Sequence, residues 1–426
     1  MKARPGWTVD SAGRLRRETI PHMGRRLPGW DYRRKGYYVI TIILADRSEG
    51  KLGELKVAAN GAGGEWLSVA EAKALGLRPD EIEAKVEFSA LGRAIFDHFR
   101  RMGEFTRGLR PVFCAIMPDH LHFIVEVVEE LERPLGNAIG GFKTGCEKIY
   151  AKMGGAGRLF AEGFVDEICL RAGQLASEFD YLNDNPRRLA IKRLYPWLFK
   201  VTRELRVPFR LAPKGQEGQA AATIATGARA ARFSSAPTAP AVGLFAAIGN
   251  HFLLARPAFH QVQVSRRFFA YRRDVRGNLA KDEPPAVATP EFAEKLTAAL
   301  SAAKSGAVVI SPCVSQGERE IARQVFAAGG RVVTLQNRGF SPLYKPGGRL
   351  FETCAAGNLL MLAPVAWPYQ PAEKPMTRTD ALVLNRLAQL IAGDGAAEID
   401  YRGAVVADID ALARAAVKTE EKDEPG

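Results

Sequence analysis

Apolar positions change period several times along the first two hundred residues, and each change marks an element. Residues 36–47, GYYVITIILADR, are dense in β-branched and aromatic side chains and read as a strand. A Gly-rich, hairpin-like stretch follows. Next, SALGRAIFDHFRRMGEF sets Leu91, Ile95, Phe99 and Met102 at helical spacing, which predicts an amphipathic helix packed on a sheet. Residues 115–127, AIMPDHLHFIVEV, read as a second strand, with His120 and His122 on one face and Leu121 and Phe123 on the other. LGNAIGGFKTGCEKIYAKM predicts another helix, and ASEFDYLNDN a further one stopped by Pro186. The order β, α, β, α predicts a compact α+β domain over residues 1–210.

Residues 211–240 are rich in Ala, Gly, Ser and Pro and poor in large apolar side chains, so they read as a flexible linker. Beyond them the texture changes. GAVVISP, GGRVVTLQ and NLLMLAP are short continuous apolar runs, and GEREIARQVFAAGG between the first two has a helical pattern. Strands buried on both faces and alternating with helices predict a parallel α/β sheet over residues 241–416. The charged end, residues 417–426, reads as a disordered tail.

At 426 residues the chain exceeds one ordinary core, which agrees with two domains. With 47% hydrophobic and 25% charged residues it has the composition of a globular protein, and no run approaches the length of a membrane span. The N-terminus is basic but lacks the apolar run of a signal peptide. Five scattered cysteines without a C-x-x-C pair predict reduced thiols in the cytoplasm rather than a disulfide framework. The balance of 60 Lys and Arg against 47 Asp and Glu, +13 overall with a pI near 9.6, favours a polyanionic partner, of which nucleic acid is the commonest.

Two imidazoles on one strand face are candidate adjacent metal donors, though an isolated His-x-His is more often a pair on the wet face of a half-buried strand. Tyr181 and Asn185 stand four apart, which puts a phenol and an amide one turn apart on a single helix face. An ordinary half-buried tyrosine would look the same. Taken together, a His-x-His strand followed about sixty residues later by Tyr-x-x-x-Asn-Pro resembles the HUH nucleases with a single catalytic tyrosine, specifically the REP-associated and related insertion-sequence transposases. RRLPGWDYRRKGYYVITIILADR resembles the entry of that family, IMPDHLHFIV its Met-Pro-Asn/Asp-His-x-His core, and LFAEGFVDEICLRA the segment before its tyrosine helix, so the likeness covers about residues 20–195.

The resemblance implies a ferredoxin-like antiparallel sheet with helices and a metal-dependent cleavage of single-stranded DNA, often folded into hairpins. Tyr181 would be the nucleophile, becoming joined to a 5′-phosphate and leaving a free 3′-hydroxyl. His120, His122 and Asn185 would hold a divalent ion, Mg2+ or Mn2+, that offsets phosphoryl charge. Two basic groups, Arg25, Arg26, Arg33, Arg34 and Lys35 before the first strand and Arg187, Arg188, Lys192 and Arg193 after the tyrosine, are candidate phosphate contacts, or simply a solvated surface. Family precedent leaves a monomer and a homodimer open. A different class of function also fits: a domesticated DNA-binding module that keeps the fold and has lost turnover. A structural metal site at the histidines lacks further ligands at suitable spacing.

Within the 241–416 region, about residues 243–395 resemble, more weakly, the Rossmann-like domain of the DNA-processing family of natural transformation, DprA/Smf, in the order of their strands, turns and helix. The glycine-rich turn of that family is here SPCVSQGE. The phosphoribohydrolase-like relatives are a rival on KPGGRLFE, and in either case a helix N-terminus at Gly317 is a candidate phosphate site.

Overall fold

The computed structural model describes residues 7–9, 15–17, 27, 29–47, 50–59, 65–210, 242–273, 279–280, 284–370, 375–393 and 405–406. The chain divides into two compact units, Met1–Leu194 and Tyr195–Gly426, each of mixed α and β structure.

The first unit is built on a four-stranded antiparallel sheet. Its strands are β1 (Gly36–Ile43), β4 (Leu109–Met117), β5 (His120–Val127) and β6 (Val165–Ile168), in the order β4-β5-β1-β6. A smaller antiparallel sheet pairs β2 (Gly53–Ala59) with β3 (Ile82–Phe88) and with Leu67–Ser68. Alternation sorts the side chains of the large sheet. Tyr38, Ile40 and Ile42 of β1 and Leu121, Phe123 and Val125 of β5 enter a core shared with α1 (Ala90–Arg100) and α2 (Leu135–Lys152). The apolar stripe foreseen for α1 lies in that core, with Leu91, Ile95, Phe99 and Met102 all buried. Ser89 starts α1 by accepting the Gly92 N–H.

The opposite face of the sheet is covered by α3 (Gln174–Leu194), which contributes Leu182 to a cluster with Val39 and Ile124. This helix does not stop at Pro186, as its sequence predicts, but continues two turns further. Proline in a helix interior costs about 3 kcal/mol through its missing N–H and ring clash. Here Ala190, Ile191 and Leu194 are buried beyond it, and tertiary burial outweighs the local penalty.

The second unit opens earlier than the sequence suggests. Strand β7 (Thr202–Pro208), expected at the end of the first domain, pairs with β8 (Val242–Gly249), and its Val207 lies with Phe209 in the second core. The boundary therefore falls at Leu194 rather than 210. The expected linker at 211–240 and tail at 417–426 lie outside the described residues. The main sheet continues through β9 (Phe259–Gln261), β10 (Val308–Ser311), β11 (Arg331–Leu335) and β12 (Leu359–Pro364), in the order β7-β8-β12-β11-β10-β9. The last four are parallel, and β8 runs antiparallel to β12. Helices α4 (Pro290–Lys304) and α5 (Gln316–Ala327) bury Phe292, Ile321 and Val325 against Val309 and Val332 on one face. Helix α7 (Arg378–Ala392), which follows α6 (Gly348–Ala355), buries Leu384, Leu387 and Ile391 against Val308, Ile310 and Val333 on the other. That double cover explains the unbroken apolar runs of these strands.

Candidate active site

The register of β1 and β5 sets Thr41 opposite His122 and Ile43 opposite His120. Because Leu121 and Phe123 point into the core, His120, His122 and Ile124 share the other face, the one that α3 crosses. The direction of α3 follows from its contacts. Early in the helix Phe179 rests edge-on against Phe113, 5.4 Å between ring centres, and Leu182 then meets Val39 and Ile124. At the far end Arg193 lines a groove with Gly50, Arg93 and Pro118, beside the turn that carries Asp119. The stretch between Leu182 and Arg193, which contains Asn185 and Arg188, thus runs along the part of the sheet where the two histidines stand.

The imidazoles form a tight, oriented pair. Their rings are perpendicular, at 87°, with centres 4.6 Å apart, and the two Nε2 atoms are 3.0 Å apart. His120 Nδ1 lies 2.6 Å from Asp119 Oδ1, and His122 Nδ1 lies 2.7 Å from Thr41 Oγ1. Arg47 donates to Asp119 Oδ2 through Nε at 3.0 Å and also approaches it with Nη2 at 2.9 Å. Burial opposes ionisation of Asp119, but the hydrogen bond and charge of His120, together with Arg47, hold its carboxyl well below the usual carboxylate range. Burial pushes His122 down to about 3, with His120 adding to the effect and Asp119 opposing it. His122 is therefore neutral near pH 7, so one of its two ring nitrogens carries a lone pair in place of a hydrogen.

On α3, Asn185 is 7% exposed and its Nδ2 is buried without a hydrogen-bond partner. Turning the amide by half a revolution would present its oxygen at the same place. Tyr181, one turn earlier, is 45% exposed, and the guanidinium carbon of Arg188 stands 5.3 Å from its ring centre. Arg188 is buried, and Asp184 lies 3.8 Å from it while accepting from Arg187 at 2.5 Å.

These groups suit a divalent cation. Adjacent donors around a six-coordinate ion, each at about 2.1 Å, stand about 3.0 Å apart, which is the separation of the two Nε2 atoms. Among the described residues no three His, Cys, Asp or Glu side chains come together as ligands. A third protein donor would have to be of another type, and the orphaned amide of Asn185 is one. The remaining positions would be left to water or phosphate oxygens.

The basic residues divide. Arg33, Arg34 and Lys35 precede Gly36, which pairs with Val127, so they sit at the end of β1 away from the histidines, about 20 Å along the strand from Thr41. Arg33 is already paired with Asp31 at 2.8 Å and Glu130 at 3.4 Å. Arg187, Arg188, Lys192 and Arg193 follow the tyrosine towards the histidine end. Arg25 and Arg26 lie outside the described residues.

In the second unit, the helix N-terminus at Gly317 is not open to an anion in the way its sequence suggests. Buried Glu318 turns its carboxylate onto the N–H groups of Val264, Val314 and Ser315, and Ser315 Oγ accepts from Glu318 N. A second negative charge there would meet the first in a buried setting. Gly317 is explained by packing, since a Cβ would come 2.6 Å from Val264.

Sequence reasoning missed Thr41, Arg47 and Asp119. Asp119 was visible beside His120, but Thr41 reaches the site only through strand register and Arg47 only through a contact of long sequence separation. No known family model matches the chain, and no curated protein matches it. Among solved structures, it is similar to a REP-associated tyrosine transposase bound to a REP hairpin, with 10% identity over 38% of this chain and 72% of that one and a TM-score of 0.24. It is also similar to a protein named as a candidate transposase from Deinococcus radiodurans R1, with 11% identity over 38% of this chain and 96% of that one and a TM-score of 0.22. At these scores neither likeness adds to what the residues themselves display.

Proposed function

We propose that the first unit is a metal-dependent endonuclease and strand transferase acting on single-stranded DNA, with Tyr181 as nucleophile. The reading rests on one observation above all: two imidazole Nε2 atoms 3.0 Å apart on the sheet face crossed by the helix of Tyr181 and Asn185. His120, His122 and Asn185 would hold Mg2+ or Mn2+. When bound, the ion would offset charge on the scissile phosphate and orient it.

The chain's own groups carry the rest. The Tyr181 oxygen attacks phosphorus, a new O–P bond forms, and the bond from phosphorus to the 3′-oxygen breaks. The phenolic proton ends, directly or through water, on the leaving 3′-hydroxyl. The product is a 5′-phosphotyrosine that keeps the phosphodiester energy for rejoining. Exposure of Tyr181 suits a group that must meet a macromolecular substrate, and the cation of Arg188 over its ring is placed to accompany negative charge there. Arg187, Lys192 and Arg193 supply sequence-independent phosphate contacts.

A covalent adduct is the test. Hairpin-containing single-stranded DNA labelled at its 3′ end is expected to migrate with the protein on a denaturing gel after incubation with Mn2+ or Mg2+. Tyr181→Phe, which removes only the attacking oxygen, is expected to lose the band. Cleavage that survives Tyr181→Phe would remove the nucleophile assignment, and binding to several hairpins without any adduct would make the chain a binding module.

A further inference from the structure

We infer that Asp119, held by Arg47, and Thr41 are positioning residues that set the tautomers of His120 and His122, so that both Nε2 lone pairs can converge on one cation. The inference rests on the metal-dependent reading above and assigns roles to residues outside the His, Tyr and Asn set.

An ionised carboxylate only accepts hydrogen bonds, so the 2.6 Å contact with Asp119 Oδ1 puts a hydrogen on His120 Nδ1 and leaves Nε2 of the neutral ring bare. Arg47 donates to the other oxygen, Oδ2, and thereby keeps Oδ1 for the histidine. This is the carboxylate–histidine support found behind metal ligands in general. Thr41 works differently, because a hydroxyl can both donate and accept. Without a cation between them, two Nε2 atoms 3.0 Å apart need one hydrogen between them. A neutral His120 with its hydrogen on Nδ1 has none on Nε2, so His122 would donate from Nε2 and its Nδ1, 2.7 Å from Thr41 Oγ1, would accept the Thr41 O–H. With a cation bound, His122 would take the other tautomer: its hydrogen would sit on Nδ1, Nε2 would be freed, and the Thr41 hydroxyl would turn from donor to acceptor. Each ring carries one hydrogen before and after. Asp119 therefore fixes one imidazole, while Thr41 lets the other change and keeps His122 Nδ1 paired in both tautomers.

Arg47 makes the test sharp. In Asp119→Asn the arginine, which can only donate, draws the amide oxygen, so the amide NH2 faces His120 Nδ1 and forces the hydrogen onto Nε2, where a metal would bind. Calorimetry with Mn2+ alone on the full chain, without DNA, is expected to show Asp119→Asn weakened by about 10–100-fold, and Thr41→Val by about tenfold, with Thr41→Ser close to the parent. Nitrogen-15 NMR of the metal-free chain is expected to show His120 moved to the Nε2–H form in Asp119→Asn only. Mn2+ affinities of both Asp119→Asn and Thr41→Val within about twofold of the parent would overturn the inference while leaving the metal site standing. If Asp119→Asn fails to fold, the Thr41→Val and Thr41→Ser pair decides alone. A parent chain that binds no Mn2+ overturns the metal-dependent reading, and this inference with it.

Discussion

Tyr181 keeps nearly half its surface in solvent while its helix neighbours Leu182 and Asn185 are buried. Packing alone does not account for that, since the helix already anchors itself through Leu182, Ala190 and Ile191. The histidines present the reverse case, polar groups withdrawn from water and satisfied by Asp119, Thr41 and each other. Replacing His120 by alanine removes one donor of the pair and leaves Asp119 paired with Arg47. Metal-dependent adduct formation by His120→Ala is expected to fall by at least about a hundredfold, while DNA binding in chelator changes little because the phosphate contacts lie elsewhere. Adduct formation at the parent's rate in Mn2+ would exclude the histidines from the site. The paired histidines were legible in the sequence because parity on a strand needs no tertiary knowledge. Their supporting residues were not, since Thr41 and His122 are joined only by pairing across β1 and β5.

Among the elements, α3 matters most, because it carries the phenol and the amide across the face where the imidazoles stand. The sequence ends it at Pro186, and the structure carries it on to Leu194. A proline rule weighs only the local loss of an N–H and the ring clash, whereas the turns beyond the proline bury Ala190, Ile191 and Leu194. Pro186→Ala restores a donor that can reach the Leu182 carbonyl, so urea unfolding is expected to show a gain of about 1–3 kcal/mol in the transition of the first unit. A loss of stability would mean that the proline's own shape is used in seating Asn185. Helix α1 shows the opposite relation, for its heptad-like apolar positions and its Ser89 cap agree with where it packs.

For the whole molecule, the division at Leu194 has a direct consequence. Strand β7 belongs with β8, and Val207 and Phe209 are buried in the second core. A fragment ending at residue 194 is expected to be soluble and to keep the adduct-forming activity of the intact chain. One ending at 210 carries Leu205, Val207 and Phe209 without their partners and is expected to aggregate more readily. Size-exclusion chromatography of the two fragments, with the adduct gel on each soluble fraction, checks this. A well-behaved 1–210 fragment beside an insoluble 1–194 would move the boundary back.

Alternation and helical spacing determined by themselves that His120 and His122 share a face, that α1 packs through Leu91, Ile95 and Phe99, and that the later strands are covered on both sides, because each follows from the geometry of one element. Tertiary structure decided where α3 ends, to which core residues 195–210 belong, and that Glu318 occupies the turn beside Gly317. It also decided which side chains the imidazoles meet. These depend on the free energy of burial and on contacts between residues far apart in the chain, and no window of local sequence contains both partners.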